Sequence, residues 1–350
     1  MKTIEMKTFE VNGRQGNSLI HVGDTLANVS THLPDGTLPV IITDENIKRL
    51  YGHKFPKGPV ITIGTGEKNK TLATVENILR ELVRLGCDRS SFILGIGGGI
   101  VCDIVGFAAS IFLRGVRFGF VSTSLLSQVD ASVGGKNGVN LDAFKNMVGV
   151  FNQPEFVICD IDMLTTLPEA EISNGLAEIV KHGLIKDIQL LDFIDANRDK
   201  ALSLDRDTVF RLVADSVDIK SRVVQADERE AGERRKLNFG HTIGHAIEKL
   251  DQSGHGRAVA AGMVAAARFS EKKGFLTGDA VSRITDLLSG LNLPVSIQFP
   301  VDDIIAAASR DKKKMGKDVF FVFLERLGCA RVEKISYDEM NDFIRNDLYS

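Results

Sequence analysis

The segment Phe92-Ile-Leu-Gly-Ile-Gly-Gly-Gly-Ile-Val-Cys-Asp103 runs an apolar strand straight into three consecutive glycines and then into an apolar helix. A strand, a glycine turn and a helix in that order belong to a βαβ unit of a parallel sheet. Without Cβ atoms the turn lets backbone approach a pyrophosphate, and the helix start offers free N–H groups and the positive end of its dipole. The match to G-x-G-x-x-G is incomplete, because the third glycine position falls on Ile100 or Cys102 depending on register. Tight packing of strand on helix would use the same glycines, so the turn alone leaves both roles open.

The flanking chain repeats the theme. Short β-branched runs at 39–44, 59–64, 90–99 and 118–124 alternate with helix-like segments. In one of these, Leu72, Val75, Ile78, Leu79, Leu82 and Val83 recur at helical spacing. Strands alternating with helices predict a doubly wound, mostly parallel sheet. Beyond about residue 160 the pattern turns helical, over Glu169 to Asn197, Thr208 to Gln225, Asn238 to Asp251 and Val259 to Lys273. Asp318 to Leu327 reads as a late strand or hairpin arm. The expectation is an α/β chain with two domains. Residues 1–165 form an N-terminal, Rossmann-like nucleotide-binding domain, and residues 166–350 a mainly α-helical domain for metal and substrate.

Charge and composition exclude several classes. Lys and Arg number 43 against 46 Asp and Glu, a net −3, so no global positive field exists to hold nucleic acid or an anionic membrane. Cys87, Cys102, Cys159 and Cys329 show no CxxC pairing, which disfavours a disulfide framework or a cysteine zinc site and suits a reducing cytoplasm. The start of the chain lacks a signal-peptide core, and the apolar stretch from Phe92 to Leu113 is interrupted by glycines and Asp103, so no membrane span is expected.

The strongest chemical signal lies in the second half. His241 and His245 are four residues apart and share a helix face, and His255 follows ten residues later. Upstream, Glu178, Lys181 and His182 group on another helical segment. Imidazoles with a carboxylate suit zinc, and three protein ligands describe a catalytic site with an open position. The ligand set read from these residues is Glu178, His241 and His255. Arg234, Arg235, Lys236 and Asn238 precede it and suggest anion recognition. Lys136 sits in a polar, glycine-rich stretch read as a functional loop, whereas Lys312-Lys313-Lys314 alone would read as a solvated run.

These motifs together resemble the 3-dehydroquinate synthases of the sugar-phosphate cyclase family. The matching stretches are Gly97 to Asp103, Arg114-Gly-Val, Ser122 to Lys136, Lys145-Asn-Met, Gly175 to Lys181, Asn238 to His245, and His255-Gly, in order from about residue 40 to about 315. The resemblance implies conversion of 3-deoxy-D-arabino-heptulosonate 7-phosphate, a small phosphorylated sugar acid, to a carbocycle with loss of phosphate. It implies NAD and one divalent metal, zinc or cobalt, as cofactors. It places the metal on Glu178, His241 and His255. Asp130, Lys181, Lys220, Asn238 and His245 would contact hydroxyls, face the phosphate or move protons. Arg114, Lys136, Asn146, Arg234 and Lys312 would hold phosphate and carboxylate, with Arg114 reaching a neighbouring subunit's site in a homodimer. NAD would meet Asp44, Glu67, Lys70, Gly98, Gly99, Asp103, Thr123, Ser124, Lys136, Lys145 and Thr166.

Two positions depart from the family pattern. Arg257 stands where a glutamate is common, two residues from His255, and Ser124 replaces a usual threonine. Relatives making valiolone, inosose or aminodehydroquinate rings share the fold. Metal-dependent polyol dehydrogenases of the glycerol dehydrogenase type are the other enzyme class, but they carry a lysine soon after the turn's aspartate. Here Asp103 is followed by Ile104, Val105, Gly106 and Phe107.

Overall fold

The computed structural model describes residues 5–14, 16–142, 144–251, 254–309 and 318–348, which leaves Lys312 outside the described residues. Two compact units divide the chain. The first comprises Met1–Leu167 with Val209–Glu228, and the second Pro168–Thr208 with Arg229–Ser350.

In the first unit the β-branched runs form strands β1 (Lys7–Gly13), β2 (Gly16–Val22), β3 (Val40–Asp44), β4 (Val60–Ile63), β5 (Phe92–Gly97) and β6 (Arg117–Ser122). A hairpin of β7 (Lys136–Leu141) and β8 (Phe144–Phe151) follows, and then β9 (Phe156–Cys159). Seven strands make one sheet in the order β1-β2-β9-β6-β5-β3-β4, parallel throughout except where β1 pairs with β2. Every residue of β5 and β9 is buried, as expected for a parallel sheet covered on both faces. One core cluster joins Ile41, Leu94, Ile96, Val121 and Ile158 of four adjacent strands to Ile47 and Tyr51 of α1 (Glu45–Tyr51).

Helix α2 (Leu72–Arg84) starts at a Thr71 cap and buries Val75, Ile78 and Leu82 of the predicted stripe, while Leu72 and Val83 at its edges are exposed. Helix α3 (Gly99–Ile111) springs from the glycine turn. Strand order reverses at β3 and β5, because β4 lies outside β3 while β6 and β9 extend from β5. A crevice at the carboxyl ends of such strands is where open α/β sheets bind ligands, and here those ends carry Asp44 and Gly97 to Gly99.

The second unit holds α4 (Glu169–Lys186), α5 (Ile188–Ala196), α6 (Arg198–Leu202) and the first residues of α7 (Arg206–Ala226). After Arg229 come α8 (His241–Leu250), α9 (His255–Lys272), α10 (Gly278–Gly290) and α11 (Val301–Ser309). An antiparallel hairpin of β10 (Asp318–Arg326) and β11 (Cys329–Ser336) and a terminal helix, α12 (Tyr337–Asn346), complete it. Phe269 of α9 stacks on Phe343 at 4.2 Å and meets Phe321 and Phe323 edge-on, which ties α9 to the hairpin and to α12.

Several elements differ from the sequence reading. The long helix expected over 169–197 breaks at Asp187, whose extended backbone and side-chain bonds to the Gln189 and Leu190 amides restart it as α5. Asn238 is not helical with His241. It ends a 3-10 turn over Glu233–Asn238, and Gly240, at φ +79°, separates that turn from α8. Lys136 opens strand β7 instead of lying in a loop. From Val209 onward α7 belongs with the first unit. There Gln225 donates to the Glu10 carbonyl, and Glu228 accepts from the Arg14 amide at 3.2 and 3.3 Å. No helix among the described residues is long and apolar enough to cross a membrane.

Truncating Phe269 to alanine removes the centre of the aromatic cluster. The Phe269→Ala protein should lose about 3–5 kcal/mol of stability, read as a lower denaturant midpoint at unchanged slope.

Candidate active site

The glycine turn shapes one half of the chemistry. Gly98 caps α3 with no side-chain hydrogen bond, so the first amides of the helix are left for a ligand. A Cβ on Gly98 would stand 3.1 Å from Ser124 Oγ, and one on Gly99 would stand 2.9 Å from Ala131 Cβ. The turn is therefore a cradle that side chains would fill, which fits a pyrophosphate. Thr123, buried beside it, donates its backbone N–H to the Gly97 carbonyl, and Ser124 Oγ donates to Ser127 Oγ at 3.0 Å.

Around the turn the polar residues expected at a nucleotide form a network. Lys70, only 5% exposed, donates through Nζ to Asp103 Oδ2 and to Asn146 Oδ1, each at 2.5 Å. Burial pushes the Asp103 carboxyl up, against the pull of Lys70. Glu67 accepts from Asn140 at 2.8 Å, and Asn140 Oδ1 in turn accepts from the Asn146 amide at 2.9 Å. The structure thus groups Asn146, expected at the substrate, with residues expected at the nucleotide. Asp44 spends one oxygen capping α1 through the Ile47 amide, and Thr166 pairs with the Tyr51 hydroxyl at 2.9 Å. Lys136 and Lys145 lie exposed on the β7–β8 hairpin.

A second cluster of this unit joins β6 to α7. Residues Ser127–Ala131 form a π turn, an irregularity frequent at functional sites, and it carries Asp130. Lys220, buried on α7, donates to the Asp130 carbonyl at 2.5 Å and also to its carboxylate. Arg114 lies elsewhere, in a turn where Leu113 (φ +50°) and Arg114 (φ +69°) are both left-handed.

The residues expected to hold the metal lie in the second unit. Helix α4 is buried almost all round, and at its centre Glu178 and Lys181, one turn apart, are 0% and 1% exposed and form an ion pair. Glu178 Oε1, the other oxygen, accepts no hydrogen bond. It faces His241 Nε2 at 3.9 Å and His255 Nε2 at 3.7 Å, and the three ligand atoms lie within 4.8 Å of one another. An orphaned carboxylate oxygen opposite two imidazole nitrogens is the donor set of a three-ligand divalent-metal site.

Electrostatics agree. Burial opposes charge on Glu178, but Lys181 and the two imidazoles outweigh it and hold the carboxyl well below its usual range. Burial, then the Lys181 ammonium, hold His241 well below the ordinary histidine value, so it stays neutral and able to ligate. Burial also disfavours charge on His255, yet hydrogen bonds and charge from Glu178 and Glu248 lift it to about 9.

The remaining predicted residues sit nearby or apart. The His245 ring lies 5.3 Å from that of His241 and 6.2 Å from that of His255. Asn238 donates through Nδ2 to Glu230 Oε1, and Arg234 is buried. Sequence reading passed over Glu248, whose Oε1 lies 3.3 Å from His255 Nδ1. Its position seven residues after His241, on the same helix face, was the available signal.

Comparison with known proteins finds two adjoining family matches that meet inside α4. Residues 60–174 match the family described as 3-dehydroquinate synthase N-terminal, and residues 175–314 match 3-dehydroquinate synthase C-terminal. The 3-dehydroquinate synthase of Alkaliphilus metalliredigens is 37% identical, over 98% of this chain and 100% of its own length. The chain belongs to the 3-dehydroquinate synthase family. A second member, from Geobacter sp. strain M21, is 44% identical over 79% of this chain and 77% of its own. Among solved structures, a 2-deoxy-scyllo-inosose synthase complexed with carbaglucose-6-phosphate, NAD+ and Co2+ superposes with a TM-score of 0.86. It is 25% identical, with 97% of this chain and 99% of that one covered.

The approach of His241 on α8 and His255 on α9 depends on close helix contact. A Cβ on Gly262 of α9 would stand 2.1 Å from the Gly240 carbonyl and 2.7 Å from the Gly244 amide, both rigid backbone. Gly262→Ala should therefore force α8 and α9 apart. The expected result is a loss of about 2–4 kcal/mol of stability and weaker zinc binding in the fraction that folds, measured by denaturation and by metal titration.

Proposed function

We propose that the protein converts 3-deoxy-D-arabino-heptulosonate 7-phosphate to 3-dehydroquinate and inorganic phosphate. The observation that carries this reading is the buried, unbonded Glu178 Oε1 facing His241 and His255 in a chain of the 3-dehydroquinate synthase family. Glu178, His241 and His255 would hold zinc or cobalt, and Gly98, Gly99 and Asp103 would hold NAD with Lys70, Asp44, Glu67, Thr123, Ser124, Lys145 and Thr166. When bound, NAD would supply reversible hydride transfer at the carbon that bears one substrate hydroxyl, and the divalent metal would supply a Lewis acid for that oxygen.

The chain's own residues supply binding and proton transfer. Lys220, buried and bonded to the partly exposed Asp130, forms an ammonium–carboxylate pair suited to passing a proton to and from substrate oxygen. Lys181 places a second buried ammonium beside Glu178. Asn146 has given its Oδ1 to Lys70, so it meets an anion through Nδ2. Asn238 has given an N–H to Glu230, and its Oδ1 remains as an acceptor for a hydroxyl. Arg234, His245 and the cations Lys136 and Lys312 complete the binding of phosphate and carboxylate.

The same reading makes the enzyme a cytoplasmic homodimer in which Arg114 serves the partner's site. Its exposed left-handed turn, flanked by exposed Ile111 and Leu113, supports that role.

Zinc-loaded protein with catalytic NAD should release one phosphate per dehydroquinate formed with no net NADH. NADH accumulating with a polyol and no phosphate release would assign the dehydrogenase chemistry instead. In the same assay His255→Ala should lose both bound metal and turnover. Lys136→Ala should keep its metal and raise KM by about tenfold or more, the effect of about 1.4 kcal/mol of lost phosphate binding.

A further inference from the structure

We propose that Glu248 is a positioning residue of the metal centre, fixing the tautomer and orientation of His255 by accepting its Nδ1–H. The proposal rests on Glu178, His241 and His255 being the metal ligands. An imidazole that ligates through Nε2 must carry its proton on Nδ1, and a buried N–H needs an acceptor. His241 has one in the Phe239 carbonyl, 3.2 Å from its Nδ1, held in place by the backbone turn at Gly240. His255 has Glu248 Oε1 at 3.3 Å from Nδ1, while its Nε2 faces Glu178.

The two ligand histidines are therefore oriented by different means, one by main chain and one by a carboxylate. Glu248 is largely buried, with an 11% exposed side chain, so its charge is weakly screened. An anionic acceptor raises the basicity of the opposite nitrogen and strengthens it as a ligand. Helix α8 thus supplies one ligand, His241, and two turns later orients the other. A rival arrangement exists, because His245, Glu248 and His255 also place ligand atoms within 4.8 Å of one another and could hold the ion themselves.

The test uses the full chain stripped of metal and reloaded with Co2+, with Kd measured by competition against a chromophoric chelator and the visible d–d spectrum recorded. Glu248→Ala should raise Kd about 10–100-fold, the usual cost of losing such a partner, and shift the spectrum. Glu248→Gln, which keeps an oxygen acceptor, should recover most of the affinity. Metal-free Glu248→Ala should unfold at the wild-type temperature. Four results would overturn the proposal: wild-type Kd in Glu248→Ala; a Glu248→Gln as weak as the alanine; a lower unfolding temperature with affinity intact; and a loss as complete as in His255→Ala, which would make Glu248 a ligand. His241→Ala is tested separately. Wild-type Kd in that protein would remove the ligand assignment itself, without reference to any Glu248 variant.

Discussion

A carboxylate without access to water is the constraint on which the second unit is arranged. Glu178 is fully buried at the centre of α4, and an isolated charge there would cost far more than a folded chain can spare. Lys181, one turn on, compensates one oxygen, but it is a buried charge as well and completes only a neutral pair. The second oxygen has no donor, and it faces the Nε2 atoms of His241 and His255. The neighbouring structure follows from that need. Helix α4 is buried on every side around the pair, and α8 and α9 meet through glycines closely enough to bring His241 and His255 to it.

The first unit is governed by unpaired main-chain donors instead of a buried charge. The strand-order reversal at β3 and β5 opens a crevice just where α3 begins without a side-chain cap. Lys70, buried, and Asp103, partly exposed, form a pair beside it whose charges cancel, so the amides and the helix dipole provide the net attraction for an anion. That pair extends through Asn146 to the β7–β8 hairpin, so one hydrogen-bond network links the crevice to a second sheet.

How much of this the sequence disclosed depended on whether the determining interaction was local. The strands at 40–44 and 92–97 announce themselves because a parallel strand covered on both faces is apolar along nearly its whole length, and the edge strand at 60–63 shows itself by its β-branched residues. The grouping of Glu178, His241 and His255 could be read because few other uses exist for that combination at that spacing, and the structure brings their ligand atoms within 4.8 Å of one another. Lys136 read as loop because Gly134 and Gly135 precede it, and both do turn at positive φ, yet the chain pairs at once with β8. Nothing local shows that α7 groups with the first unit, since Gln225 and Glu228 find their partners more than two hundred residues away. Helical spacing put Glu248 on the face of His241 but could not say which nitrogen of which imidazole would take its oxygen.

The same distinction settles what the charge reversal at position 257 touches. Sequence distance sets Arg257 two residues from His255, as if it were part of the metal's surroundings. On a helix, however, residues two apart point in different directions. The Arg257 amide donates to Asn174 Oδ1, and its guanidinium donates to the Asn292 carbonyl at 3.4 Å. The nitrogens of the His255 ring face carboxylates, Glu178 at one and Glu248 at the other, and the ring lies beside those of His241 and His245. A cation at 257 therefore binds the segment that follows α10, and the charge balance felt by His255 is set by Glu178 and Glu248.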